Sequence, residues 1–135
     1  MENLHNENVF LDLIKTSKVV TGEFLFNLNE GLLMDWELRD INFVDCNLWG
    51  GDFCGTNFFN CTFKNVKFCE TSLMAVMFFN CTFDSCVFEK VEPGFGLQNC
   101  EVKGLSVTGL PGFCYSKNSQ IPDQVAQFLS LDKKN

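Results

Sequence analysis

The chain has 135 residues, one domain's worth and enough to bury a real core, and its 46% hydrophobic content includes sixteen Phe against a single Tyr. A net charge of −7 argues against a nucleic-acid binder of the ordinary basic kind. No apolar run approaches the roughly 18 residues that span a bilayer, and the first residues, with Glu2, Glu7 and Asp12, lack a signal peptide's basic start and apolar core, so a cytoplasmic protein with no membrane association is expected.

Residues 1–25 read as an N-terminal cap. Phe10, Leu13 and Ile14 take the i, i+3, i+4 spacing of an amphipathic helix within the first seventeen residues, and Val19 to Phe26 then reads as extended. The body to be capped is a repeat. From Ile41 to Lys90 a large apolar residue returns every five positions, at Phe43, Leu48, Phe53, Phe58, Phe63, Phe68, Leu73, Phe78, Phe83 and Phe88. The residue two places before each is small or β-branched: Ile41, Cys46, Gly51, Thr56, Cys61, Val66, Thr71, Val76, Cys81 and Cys86. The pattern reaches back to Phe26, Gly31 and Trp36 at the minus-two position, with Leu28, Leu33 and Leu38 central. Trp36 is large for an interior site and marks a distorted or capping coil.

A period of five suits neither regular element. On a helix the Phe row would wander round the cylinder, and on a strand an odd period would alternate faces. The backbone must therefore bend once per unit. The string FFNCTF occurs at Phe58–Phe63 and again at Phe78–Phe83, twenty residues apart. Four bends per coil make a square in which residues twenty apart stack. Strand ladders repeat at about 4.7–4.9 Å, inside the range of about 4.5–7 Å over which aromatic rings attract. The expected fold is an all-β solenoid, a quadrilateral β-helix of about four coils over residues 26–110, with the ten central residues as its core stack. Its ends need covering, because a terminal coil exposes apolar core and unpaired strand edges.

Beyond Lys90 the stretch Val91-Glu92-Pro93-Gly94 holds four residues where five are expected, which predicts a one-residue register slip. The period resumes as FGLQN, CEVKG and LSVTG, with Leu97, Val102 and Val107 central. Residues 111–135 read as a C-terminal loop and short helix. Ser116 to Gln120 is loop, and Ile121-Pro122-Asp123 followed by Val125, Phe128 and Leu129 has Pro in the first turn and an apolar face. That helix would cap the last coil or serve a dimer, and Asp132 to Asn135 should fray.

The units CNLWG, GDFCG, TNFFN and CTFKN resemble the pentapeptide repeat proteins, whose loose consensus is a small residue, Asn or Asp, then Leu or Phe, then two variable positions. The resemblance implies a right-handed quadrilateral β-helix with central and minus-two side chains inside. It implies little about activity, since members of that family serve several roles.

Eight cysteines stand at 46, 54, 61, 69, 81, 86, 100 and 114, with no CxxC and His5 as the only histidine, so a zinc site has little to build on and neither metal nor cofactor is expected. Cys46, Cys61, Cys81, Cys86 and Cys100 fall at interior minus-two positions, where free Cys packs as a small hydrophobe. Cys61 and Cys81 should stack one coil apart, near enough to bond on oxidation, which a reducing cytoplasm opposes.

If central and minus-two residues face inward, the others sort by wall. Phe59 and Phe79 then face outward beside Met77, near Met74 and Met34 on the preceding wall. An apolar patch of this kind on a soluble chain marks an interface unless a terminal segment folds over it. Trp49 and Cys69 on a third wall form a weaker second candidate. Glu30, Asp35, Asp40 and Asp45 close four successive units and ring the first coil with acid. No nucleophile–base–acid set, glycine-rich phosphate loop or second His exists, so no enzyme is expected. Asn60 and Asn80 fit corner turns, where Asn bonds the local backbone.

These observations point first to a non-catalytic scaffold that binds another protein, a second copy of itself included, through the Phe59/Phe79/Met74/Met77 patch, without direct nucleic-acid binding. The resemblance supplies an alternative, an acidic DNA-mimicking regulator of DNA gyrase or another topoisomerase that confers quinolone resistance. Lys64, Lys67 and Lys90 interrupt the continuous negative track such mimicry needs. A secreted bacterial effector is a second alternative, drawn from the resemblance alone.

Overall fold

Every fifth residue from Asp35 to Lys90 carries a positive φ, and this single repeated feature builds the molecule. The computed structural model describes residues 4–26, 33–92, 94–109, 114–121 and 131–132. In it Asp35, Asp40, Asp45, Asn60, Asn65, Ala75, Asn80 and Ser85 lie between 49° and 59°, in the left-handed region. That conformation costs most residues roughly 1–2 kcal/mol, but Asn and Asp visit it more readily. Each bend also places its N–H in the inter-coil ladder: Asp40 donates to the Phe59 carbonyl at 3.0 Å, Asn60 to Phe79 at 2.9 Å and Asn80 to Gln98 at 2.9 Å. The bend every five residues that the pentad period demands is therefore a left-handed residue at the last position of each unit.

Short parallel strands fill the walls between corners. In chain order they are β1 (Leu4–His5), helix α1 (Glu7–Thr16), β2 (Val19–Leu25), β3 (Glu37–Arg39), β4 (Asn42–Trp49), β5 (Asn57–Phe59), β6 (Thr62–Cys69) and β7 (Met77–Phe79). Next come β8 (Thr82–Asp84), β9 (Cys86–Val91), β10 (Gly96–Gln98), β11 (Glu101–Val102), β12 (Leu105–Gly109), β13 (Cys114–Lys117) and β14 (Leu131–Asp132). One sheet runs β1-β2-β4-β6-β8-β11, with β9 joining β6 to β12, and wraps two walls. The other, β14-β13-β10-β7-β5-β3, forms a third wall. Single bridges from Asp52 to Ser72 and from Ser72 to Glu92 mark the fourth. The result is a β-solenoid of about four turns, with one short helix among the described residues.

Register carries the period into three dimensions. Phe58 pairs with Phe78, Phe63 with Phe83 and Phe68 with Phe88, all twenty residues apart. Past the Val91–Gly94 stretch the partners are Phe78 with Leu97, Phe83 with Val102 and Phe88 with Val107, nineteen apart. The ladder thus absorbs one missing residue and continues.

All ten central residues from Phe43 to Phe88 are buried, and Leu33, Leu38, Leu97 and Val102 extend the column. Rings stack face to face along two files, Phe43 on Phe63 at 4.7 Å and Phe63 on Phe83 at 4.9 Å in one and Phe58 on Phe78 at 4.9 Å in the other, whereas Phe68 meets Phe88 edge-on at 5.1 Å, as do rings of neighbouring files such as Phe63 and Phe78 at 5.6 Å. At the minus-two sites the interior cysteines do more than pack. Cys61 donates its thiol to the Leu38 carbonyl at 3.6 Å, Cys81 to Phe58 at 3.5 Å, Cys86 to Phe63 at 3.3 Å and Cys100 to Phe78 at 3.2 Å. Thr56 bonds the Leu33 carbonyl in the same way. Thr71, at the same kind of position, leaves its buried hydroxyl without a partner. At Gly51 a Cβ would sit 2.5 Å from the Phe53 ring and 3.0 Å from that of Phe26, so the rings themselves occupy the minus-two space.

The first residues close one end of the column. Asn6 caps α1 by accepting from the N–H groups of Asn8 and Val9, and Phe10 and Ile14 are the helix's buried residues. The Phe10 ring lies 5.5 Å from Phe24, 5.1 Å from Phe26 and 6.1 Å from Phe43, above the first complete coil. β2 pairs with β4 at an offset that shifts by one residue between Val20 and Gly22, adding a layer that no pentad spacing signals. At the other end, Ser116 and Lys117, read from sequence as loop, belong to β13 and pair with Leu97 and Gln98. The short turn-rich segment is drawn into the sheet because the last coil offers it an unpaired ladder edge. The expected helix over residues 121–129 lies, beyond Ile121, outside the described residues, as do Leu28, Glu30 and Gly31.

Candidate protein-binding surface

The wall formed by β3, β5, β7 and β10 brings the outward aromatic residues together by register alone. Arg39, Phe59, Phe79 and Gln98 follow one another in one file, and Glu37, Asn57, Met77 and Gly96 in the next. Phe59 and Phe79 stack at 4.8 Å with their planes 10° apart. The Arg39 guanidinium covers the outer end of that pair, 4.0 Å from the Phe59 centroid, and is itself held 3.5 Å from Glu37. Round the corner Met74 is 48% exposed and Met34 37%, with half-buried Cys54 between them in the file. Met77, Phe59 and Phe79 are half-buried, part of their surface spent on each other. Beyond Met74 and Met77 the files continue as exposed Gly94 and buried Gly96.

Trp49 and Cys69 sit on the β4–β6 wall in one file that continues to Glu89. Only Trp49 of the two offers surface, because Cys69 is 2% exposed and donates its thiol to the Glu89 carboxylate at 3.1 Å. Burial and the adjacent Glu89 push the Cys69 thiol up to about 11, which makes it a poor nucleophile at neutral pH. Lys67 completes the cluster, 5.3 Å over the Trp49 ring and 3.3 Å from Glu89. The thiol's hydrogen bond, ahead of Lys67, holds the Glu89 carboxyl below its ordinary range. Sequence reasoning left Lys67 and Glu89 out of this cluster, although adding twenty to Trp49 and Cys69 reaches Glu89.

The acidic ring has a local cause. Asp35, Asp40 and Asp45 all occupy left-handed corners, with φ of 59°, 58° and 49°, a role that Gly, Asn, Glu, Ala, Ser and Lys fill in later coils. Asp45 accepts from Asn65 Nδ2 at 2.8 Å one coil further on. The acids are thus corner residues before they are an electrostatic feature, and Glu30 falls outside the described residues. Among the described residues no group of three or more His, Cys, Asp or Glu converges to hold a metal, and no described helix is long and apolar enough to cross a membrane.

The model of the pentapeptide repeats matches residues 37–73 with eight copies. No curated protein matches the sequence. Among solved structures the chain is similar to trypsin-treated QnrB1, described as a plasmid-mediated fluoroquinolone resistance protein, with a TM-score of 0.64 and 18% identity. The match covers 88% of this chain and 55% of that one, so this chain spans about half the length of its structural neighbour. At that identity the likeness is one of fold.

Proposed function

We propose that this chain, which belongs to the pentapeptide repeat proteins, is a non-catalytic scaffold that binds another protein through the outward patch of Phe59, Phe79, Met77 and Met74. One observation carries the reading: two phenylalanines stacked on the outside of a wall, beside an exposed methionine, on a fold whose interior already claims its own column of rings. Aromatic residues and Met are enriched in interface cores, and side chains prepaired by stacking lose little entropy on docking. A second copy of the chain is the simplest partner to test. Size-exclusion chromatography with light scattering on the wild type and on the folded double variant Phe59→Ser, Phe79→Ser should show association only in the former. A pull-down with the same two proteins tests a different partner, and retention of every partner by the double variant would end the reading.

A second reading, regulation of DNA gyrase in the manner of a quinolone-resistance protein, is supported by the likeness to QnrB1 and by the charge of −7. Exposed Lys64 and Lys90 interrupt the acidic surface on the walls that would have to imitate a phosphate backbone. A gyrase supercoiling assay with and without quinolone decides between them, protection of supercoiling favouring regulation and no effect favouring the scaffold.

A further inference from the structure

The register slip has brought three thiols into one interior file. Cys61, Cys81 and Cys100 each precede the paired residues Thr62, Thr82 and Glu101 by one position, so they lie one above another in successive coils. All three are free and no more than 3% exposed. Cys81, in the middle, has a thiol one coil away on either side. The other interior file behaves differently: Val66 separates Cys46 from Cys86, so those two thiols have no thiol neighbour in their own file.

Spacing decides what such a file can hold. Along the ladder equivalent atoms recur at the strand pitch, seen in rings stacked at 4.7 and 4.9 Å. A disulfide needs Cβ atoms about 3.5–4.5 Å apart, so neighbouring coils would have to pinch together. Two metal–thiolate bonds, about 2.3 Å each at zinc and somewhat shorter at a two-coordinate ion, placed end to end span slightly under about 4.6 Å, close to the pitch. Since no three ligating groups converge among the described residues, a tetrahedral ion has no seat. Only an ion content with two ligands in line does, and thiolates select the soft ions of that kind. A polar hollow of about 240 Å³ lies over the same corner, lined by Asn80, Cys81, Thr82, Asn99, Cys100 and Glu101 among others.

The geometry points to a binding site for one soft, two-coordinate monovalent ion of the Cu(I) type between Cys81 and either Cys61 or Cys100. Binding converts two thiols to thiolates, forms two metal–sulfur bonds and releases two protons, with no change of oxidation state. The thiols' bonds to the Phe58 carbonyl and its equivalents are given up.

The test uses Cu(I) presented anaerobically by a competing chromophoric chelator to the full chain in a Cys54→Ser background, which removes the partly exposed thiol. One Cu(I) per chain should survive gel filtration, with sulfur-only, two-coordinate X-ray absorption. Cys81→Ala, common to both possible pairs, should lower the affinity at least a hundredfold, whereas Cys46→Ala and Cys86→Ala should not alter it. If Cys81→Ala unfolds, the double variant Cys61→Ala, Cys100→Ala isolates Cys81 and should lose the ion equally. Tight binding that survives both of these variants, or that falls equally with Cys46→Ala, overturns the assignment.

Discussion

Replacing Phe63 by Ala tests the inside–outside logic of the whole molecule when set beside the same change at Phe59, four residues earlier. Phe63 is 1% exposed, stacked between Phe43 and Phe83 at 4.7 and 4.9 Å, and met edge-on by Phe58 and Phe78 at 5.5 and 5.6 Å. Cutting it leaves a void in a ladder whose hydrogen bonds prevent collapse, and the cost should reach the upper part of the roughly 3–5 kcal/mol expected for a buried Phe. Phe59 loses one stack, to Phe79, and the Arg39 contact. An aromatic pair contributes about 0.5–1.5 kcal/mol and an exposed cation–π contact about 0.5–1, so the loss should be about 1–2.5 kcal/mol. Thermal melts followed by far-UV circular dichroism should separate the two clearly, at roughly 4 °C per kcal/mol for a domain of this size. Phe63→Leu, which copies what Leu48 and Leu73 do in the same position, should cost only about 1 kcal/mol. Equal losses at Phe63 and Phe59 would refute the assignment of central side chains to the core.

Thr71→Val should stabilise the fold by about 1–2 kcal/mol in urea denaturation, since it replaces a buried hydroxyl lacking any partner with an isosteric methyl; a loss of stability would mean that the hydroxyl is satisfied after all. At the Asn60 corner, where φ is 55°, Asn60→Val should cost about 1–2 kcal/mol or more while Asn60→Gly stays within about 0.5, and similar values for both would show that the bend imposes no left-handed requirement. Alkali should weaken the fold through its thiols. Burial pushes the Cys46 thiol from its ordinary 9.0 up to about 12, so its contribution is complete below about pH 9 and drains away as pH rises toward 12. Each such group costs at most about 1.4 kcal/mol per pH unit in that window. Stability measured at pH 8 and 10.5 in reducing buffer should fall more steeply for the wild type than for Cys46→Ala, and identical slopes would contradict this.

The pentad spacing makes the core legible because a solenoid repeats one local environment: once Phe43 and Phe63 are interior, Phe83 must be. The outward patch is legible for the same reason, as the residues the column leaves over. Other features depend on details that a period does not carry. The β2 layer joins the column through a bulge near Gly22, out of step with the pentads, and only its pairing with β4 reveals it. Ser116 and Lys117 look like turn residues and become strand because an edge is available. Position alone puts Cys69 outward, yet its neighbours in the wall cover it.

By itself the sequence determined the period, the four-sided coil, the inward set and the slip at Val91–Gly94, because each follows from residue type at fixed spacing. Tertiary structure alone decided what the outward residues do to one another. Arg39 lies over Phe59, and Lys67 bridges Trp49 and Glu89. Such relations depend on distances across coils, which the strand pitch and the left-handed corners set.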